Sequence, residues 1–199
     1  MSRRHGPITA KELETQLKAD PEWTARRDER ERERRHLEAD WRAAEAPLVE
    51  ELREAGLENV RWSWDLVNTS TPYPEALPIL VKHLQRPYPD RVREGIARAL
   101  AVREAKFAWE TLTRLYREEE AGTNAKDGLA VAIAATVHDE VIDELIGLAG
   151  DTQHGESRLL LLRALKRSRN PRARAALERL EADPELTKEV RGLLKRERK

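Results

Sequence analysis

Apolar positions along the chain repeat on two nested periods. Leu48, Leu80, Leu112, Leu145 and Leu177 stand 32, 32, 33 and 32 residues apart, and four residues before each is Ala44, Ala76, Ala108, Val141 or Ala173. A second column, Trp64, Ile96, Leu129, Leu162 and Leu194, follows at spacings of 32, 33, 33 and 32. Within a unit the apolar residues fall at i, i+4 and i+7 or i+8, as in Ala76-Leu80-Leu84 and Val141-Leu145-Leu148, which is one face of an α-helix. Two helix-period columns offset by half a repeat and recurring five times predict five helix–turn–helix units.

Breakers mark the turns within units: Pro87-Tyr88-Pro89-Asp90, Ala121-Gly122-Thr123-Asn124, Gly150-Asp151-Thr152 and Asp183-Pro184, the last read as a cap with proline opening the helix. The second helices are expected over 59–68, 90–103, 125–137, 155–168 and 184–197. Pro47 and Pro78 fall near the middle of first helices and are expected to kink them.

The columns over residues 44–197, with segments such as Asp90-Arg91-Val92-Arg93-Glu94-Gly95-Ile96-Ala97-Arg98-Ala99-Leu100, resemble the HEAT-repeat family, in particular its short bacterial, phycobilin-lyase-like form. The resemblance implies an all-α fold, a right-handed α-solenoid with first helices convex and second helices lining a concave face. One helix pair cannot bury its apolar face alone, so neighbours must stack.

Residues 1–43 read as a separate, charged helical extension before a repeat domain over 44–199. Thr9-Ala-Lys-Glu12 is a capping box opening a short helix to about Ala19. After Asp20-Pro21 a second helix is expected to run to about Ala46. Its middle, Arg26 to Arg35, is almost wholly Arg and Glu, with opposite charges three or four apart. It reads either as a solvated helix capping the first repeat with Leu37 and Trp41 or as an arm gripping a partner or a second protomer.

Composition narrows the function classes. Charged residues make up 37% and aromatic residues 5%, against about 25% charged in ordinary globular proteins; this suits amphipathic helices and excludes a mostly β protein. Without cysteine there is no disulfide framework, Cys-ligated zinc or thiol nucleophile. The first residues form no signal peptide, and the longest apolar stretch, Gly128 to Val137, falls short of the roughly 20 residues that span a bilayer. A cytoplasmic protein without membrane contact is expected, which makes the Asn68-Thr69-Ser70 sequon accidental.

Formal charge is zero overall, with 37 basic and 37 acidic residues, yet residues 47–155 carry a net −7 and residues 156–199 a net +7. This is either ordinary solvated surface or a basic end that meets an acidic partner.

Candidate chemistry is sparse. The chain has no GxxxxGK, GxSxG, HExxH or GxGxxG motif. Its histidines at 5, 36, 83, 138 and 154 make no metal-ligand spacing, so neither metal nor cofactor is expected. Arg61-Trp62-Ser63-Trp64-Asp65-Leu66-Val67-Asn68 is the most distinctive segment; Trp64 belongs to the repeat column and is expected in the core. The segment is also similar to the Trp-Trp-Asp-x-Val-Asp stretch of HEAT-like alkylpurine DNA glycosylases, whose last Asp stabilises a developing sugar cation. Ser63 stands at the first aromatic position and Asn68 at that Asp, so the likeness implies nucleic-acid binding without catalysis. Phycobilin-lyase chemistry is a third possibility, with no residue here to assign to it.

Gly128 to Val137 is apolar on every side, and Leu159-Leu160-Leu161-Leu162 points the same way. The third second-helix is therefore expected to be covered on both sides, by something seated in the groove or by unusually close packing. Arg158, Arg163, Lys166, Arg167, Arg169, Arg172 and Arg174 suggest a positive stripe at its rim. The reading that follows is a non-enzymatic scaffold whose groove binds a protein partner, with nucleic acid as the alternative and oligomerisation through the N-terminal helix as a further option. The partner-binding candidates, all on expected second helices or at their starts, are Trp62, Asp65, Asn68, Arg91, Arg98, His154, Arg158 and Arg163.

Overall fold

The computed structural model describes residues 8–195, and the described residues form twelve α-helices joined by turns and short 3-10 segments, with no strand. The chain divides into two compact units, Met1–Ala43 and Ala44–Lys199.

The first unit holds α1 (Ala10–Ala19) and most of α2 (Pro21–Ala44). The expected capping box opens α1: Thr9 Oγ1 accepts from the Glu12 N–H at 3.3 Å, and the Thr9 N–H donates to Glu12 Oε2 at 2.9 Å. Asp20 caps α2 by accepting from the Glu22 N–H at 2.9 Å, with Pro21 at the first helical position. Neither helix buries a residue. Its own ion pairs, such as Arg34 with Glu31 and Glu38, run along the surface of α2, as the Arg/Glu spacing predicts.

The second unit holds, in chain order, α3 (Ala46–Glu54) and α4 (Ser63–Val67), then four pairs whose members pack on each other: α5 (Ala76–Leu84) with α6 (Asp90–Ala99), α7 (Trp109–Glu118) with α8 (Asn124–Thr136), α9 (Ile142–Gly150) with α10 (Leu159–Arg167), and α11 (Pro171–Leu180) with α12 (Thr187–Lys195). The second helices pack in chain order, α4 on α6, α6 on α8, α8 on α10 and α10 on α12. First helices are joined by side chains at repeat spacing. Glu51 of α3 meets Lys82 and His83 of α5 at 2.8 and 2.9 Å, Trp109 and Arg117 of α7 meet Glu144 of α9 at 2.5 Å, and Asp143 of α9 meets Arg172 of α11 at 2.5 Å.

The first leucine column is the core: Leu48, Leu80, Leu112, Leu145 and Leu177 are all 0–1% exposed. Of the second column, Ile96, Leu129 and Leu162 are fully buried, whereas Trp64 and Leu194 at its two ends are half-buried. The expectation that Trp64 is core is thus corrected: α4 and α12 each stack on one second helix of this unit, the inner ones on two.

Three further expectations change. Pro47 and Pro78 do not kink their helices, because α3 begins at Ala46 and α5 at Ala76. Both prolines stand in a first turn, where a backbone N–H has no helical acceptor to lose. The last helix opens at Thr187 rather than at Pro184, after a turn in which the Thr187 N–H donates to the Asp183 carbonyl at 2.8 Å; its expected end at 197 lies outside the described residues. The fourth second-helix starts at Leu159, because Gly155 takes φ +60° and ends the continuous helix expected from 155.

α8 packs closely against α6 and α10, while its Val131 and Ala135 stay half-exposed. A Cβ on Gly128 would come within 2.9 Å of the Glu94 carbonyl oxygen, so α6 and α8 meet backbone to backbone. Small residues on α8 permit this close approach. Asp90, at the start of α6, accepts from the N–H groups of Asn124 and Ala125 at 3.1 and 2.7 Å and so caps α8. Although burial pulls its carboxyl up, the Ala125 and Asn124 hydrogen bonds hold it below the usual range.

Candidate partner-binding groove

The second helices leave one aliphatic strip uncovered. Half-exposed Val131 and Ala135 of α8 and Leu159 and Leu160 of α10 line a cavity of about 740 Å³, with Ala101 and Ala134 at its edge. Its rim is charged: Arg163 and Arg167 on α10, Lys188 and Glu189 on α12, and Glu185 just before α12. A second cavity of about 380 Å³ shares Ala101 and Val131 and runs toward α4 along Leu66, Val67 and the Thr69–Pro74 loop. Together they make a groove across the second helices of several repeats.

Arg163 is exposed and lines this groove. Arg98 borders the second cavity. Its Nε donates to Glu94 Oε1 at 2.7 Å, and Arg91 pairs with the same carboxylate. Glu94 is 4% exposed, so both arginines are held in place by a buried anion. Arg91 also lies over the Trp64 ring at 4.1 Å, a cation–π contact. Trp62 and Asp65 are half-buried and engaged with each other, the indole N–H donating to Asp65 Oδ1 at 2.9 Å. Asp65 Oδ2 accepts from the Arg61 N–H at 2.9 Å, so this carboxylate orders the turn into α4. Exposed Asn68 donates from Nδ2 to the Trp64 carbonyl at 3.1 Å.

His154 and Arg158 are corrections: both are buried and neither reaches the groove. His154, 4% exposed, packs on Tyr116 with ring centroids 4.5 Å apart. Arg158, 0% exposed, donates to Asp183 at 2.6 Å and to the Gly155 carbonyl at 3.0 Å, and pairs with Glu185. The cause is the turn at Gly155, which sends the residues before α10 inward between repeats. They join a buried polar knot. The Tyr116 hydroxyl lies 2.8 Å from Ser157 Oγ, and burial pushes it up to about 12. Lys126 sits 4.4 Å over the Tyr116 ring. Its ammonium donates to the Tyr116 carbonyl and, at 2.8 Å, to that of Glu119, where the end of α7 is negative.

The expected positive stripe is dispersed, most of its members each taken up by a partner of its own. Arg158 is internal, Arg172 pairs with Asp143, Arg174 with Glu178 at 3.2 Å, and Arg167 donates to the Ala134 carbonyl at 2.8 Å. The sequence reading placed Arg167 in the rim stripe but missed Lys188 as a groove residue and Glu94 as the anchor of Arg91 and Arg98. The i, i+4 spacing of Glu94 and Arg98 carries the second signal.

Among the described residues no three acidic or histidine side chains stand together as metal ligands, and no helix is long and apolar enough to cross a membrane. Comparison with family models, with curated proteins and with solved structures returns no match to the chain.

Proposed function

We propose that residues 44–199 are a right-handed α-solenoid of five HEAT-like repeats whose second helices form a protein-binding face, and that the protein acts as a scaffold without catalytic chemistry of its own. The observation that carries the reading is the groove: aliphatic side chains from α8 and α10 stay half-exposed in a continuous strip, while every inner position of both leucine columns is buried. An uncovered apolar strip with a charged rim is the anatomy of an interface, apolar at its centre and polar at its edge. Affinity comes from the strip, and the rim selects the partner.

The test is co-purification with nuclease treatment in parallel, comparing wild type with Leu160→Glu in the groove and Lys106→Glu on an exposed turn outside it. A protein retained by wild type and Lys106→Glu but lost from Leu160→Glu supports the reading. Retention by all three, or recovery of nucleic acid that nuclease removes, overturns it.

A further inference from the structure

Charges around the groove select a sign of partner. Arg163, Arg167 and Lys188 border the larger cavity, against Glu185 and Glu189. Glu185 shares buried Arg158 with Asp183 and keeps 56% of its side chain exposed, so its charge is offset only in part. Neither Arg163 nor Lys188 has an ion pair among the described residues, and Arg167 donates to a carbonyl rather than to a carboxylate. Three cations therefore face two acids, one of them partly offset, across an aliphatic floor. The larger cavity has no ring on which a base would stack and the smaller one has Tyr73 alone, which disfavours single-stranded nucleic acid.

We propose that the groove binds an amphipathic helix of a partner protein that carries acidic residues along the edge of its apolar stripe; this rests on the protein-binding reading above. Arg163 and Arg167 lie four residues apart on α10, about 6 Å along the axis at 1.5 Å per residue. Carboxylates at i and i+4 of an incoming helix have the same spacing, so each meets one guanidinium while the leucines between them enter the floor. Lys188 on α12 faces the strip from the other bank. Burying leucines gives the affinity, and the cations choose acidic over basic edges.

Three labelled 18-residue peptides test this, sharing one leucine stripe and carrying Glu, Gln or Lys at its flanks, beside a 20-base-pair DNA duplex. The wild-type chain is expected to bind the Glu peptide about tenfold more tightly than the Lys peptide, the size of two or three exposed ion pairs. Arg163→Glu with Arg167→Glu reverses the order, and Val131→Glu removes binding of all three peptides; circular dichroism shows each variant folded. Equal binding of Glu and Lys peptides, lost in Val131→Glu, overturns the acidic partner and leaves the protein-binding groove. If no peptide binds, the proposal falls, and a duplex shifted in its place overturns the protein-binding reading as well.

Discussion

His154 sits 4% exposed among cations: Lys126 of α8 and Arg117 of α7 face it, Arg158 follows in its own turn, and Asp151 opposes them with an oxygen 3.8 Å from Nε2. Burial, then the Lys126 charge, lowers its pKa from the ordinary 6.5. The unfolded chain therefore takes up a proton that the folded one refuses. Stability from this group is complete above pH 6.5 and is lost progressively as pH falls below it. The expected result is a urea midpoint that drops between pH 7.5 and pH 5.5 and drops less in His154→Gln. Equal slopes for the two proteins would contradict the assignment. His83, buried beside Glu51 and Lys82 and also lowered, accounts for slope that persists in the variant. His154 was nevertheless read as a groove residue from the chain alone. A histidine before a predicted helix looks the same whether it turns outward or inward, and the turn at Gly155 made that choice.

At the scale of elements, the α6–α8 contact limits what the repeat tolerates. Alanine at Gly128 gains helix propensity of about 1 kcal/mol. Its Cβ would stand 2.9 Å from the Glu94 carbonyl oxygen and 3.1 Å from the Ala97 Cβ. Backbone cannot swing away as a side chain would, so the helices must separate along an interface that also positions Glu94, Arg91 and Arg98. Gly128→Ala is expected to cost about 1–3 kcal/mol net in chemical denaturation, whereas Gly147→Ala, with nothing within 4 Å, is expected to be neutral or stabilising. Element type and order were readable, because the 32–33-residue period survives every change of residue within it. Element ends were less so. The starts at Ala46, Ala76 and Thr187 depend on which turn closes first, and a proline fits a first turn and an interior kink equally well on paper.

For the whole repeat unit, stability and recognition draw on different residues. Leu112 is fully buried and Leu160 is not. Leu112→Ala is expected to cost about 2–5 kcal/mol while leaving binding by the remaining folded protein unchanged. Leu160→Glu leaves the thermal midpoint near wild type and abolishes binding. Thermal unfolding by circular dichroism with peptide titration separates the two; a large loss of stability in Leu160→Glu would make the strip part of the core.

Close packing around α8 was one of two readings the chain left open; legible in it were the order of the helices, their leucine core and the capped helix of the N-terminal unit. All of these follow from local spacing, since burial of one helix face is written every three to four residues. Which polar side chains face outward was settled by packing. Arg158 and Arg163 are five residues apart on one basic run, yet one is sealed against Asp183 and Glu185 and the other lies on the groove. Charge and residue type are the same in both, and only the neighbouring repeat, folded against them, distinguishes an internal anchor from a surface that can meet a partner.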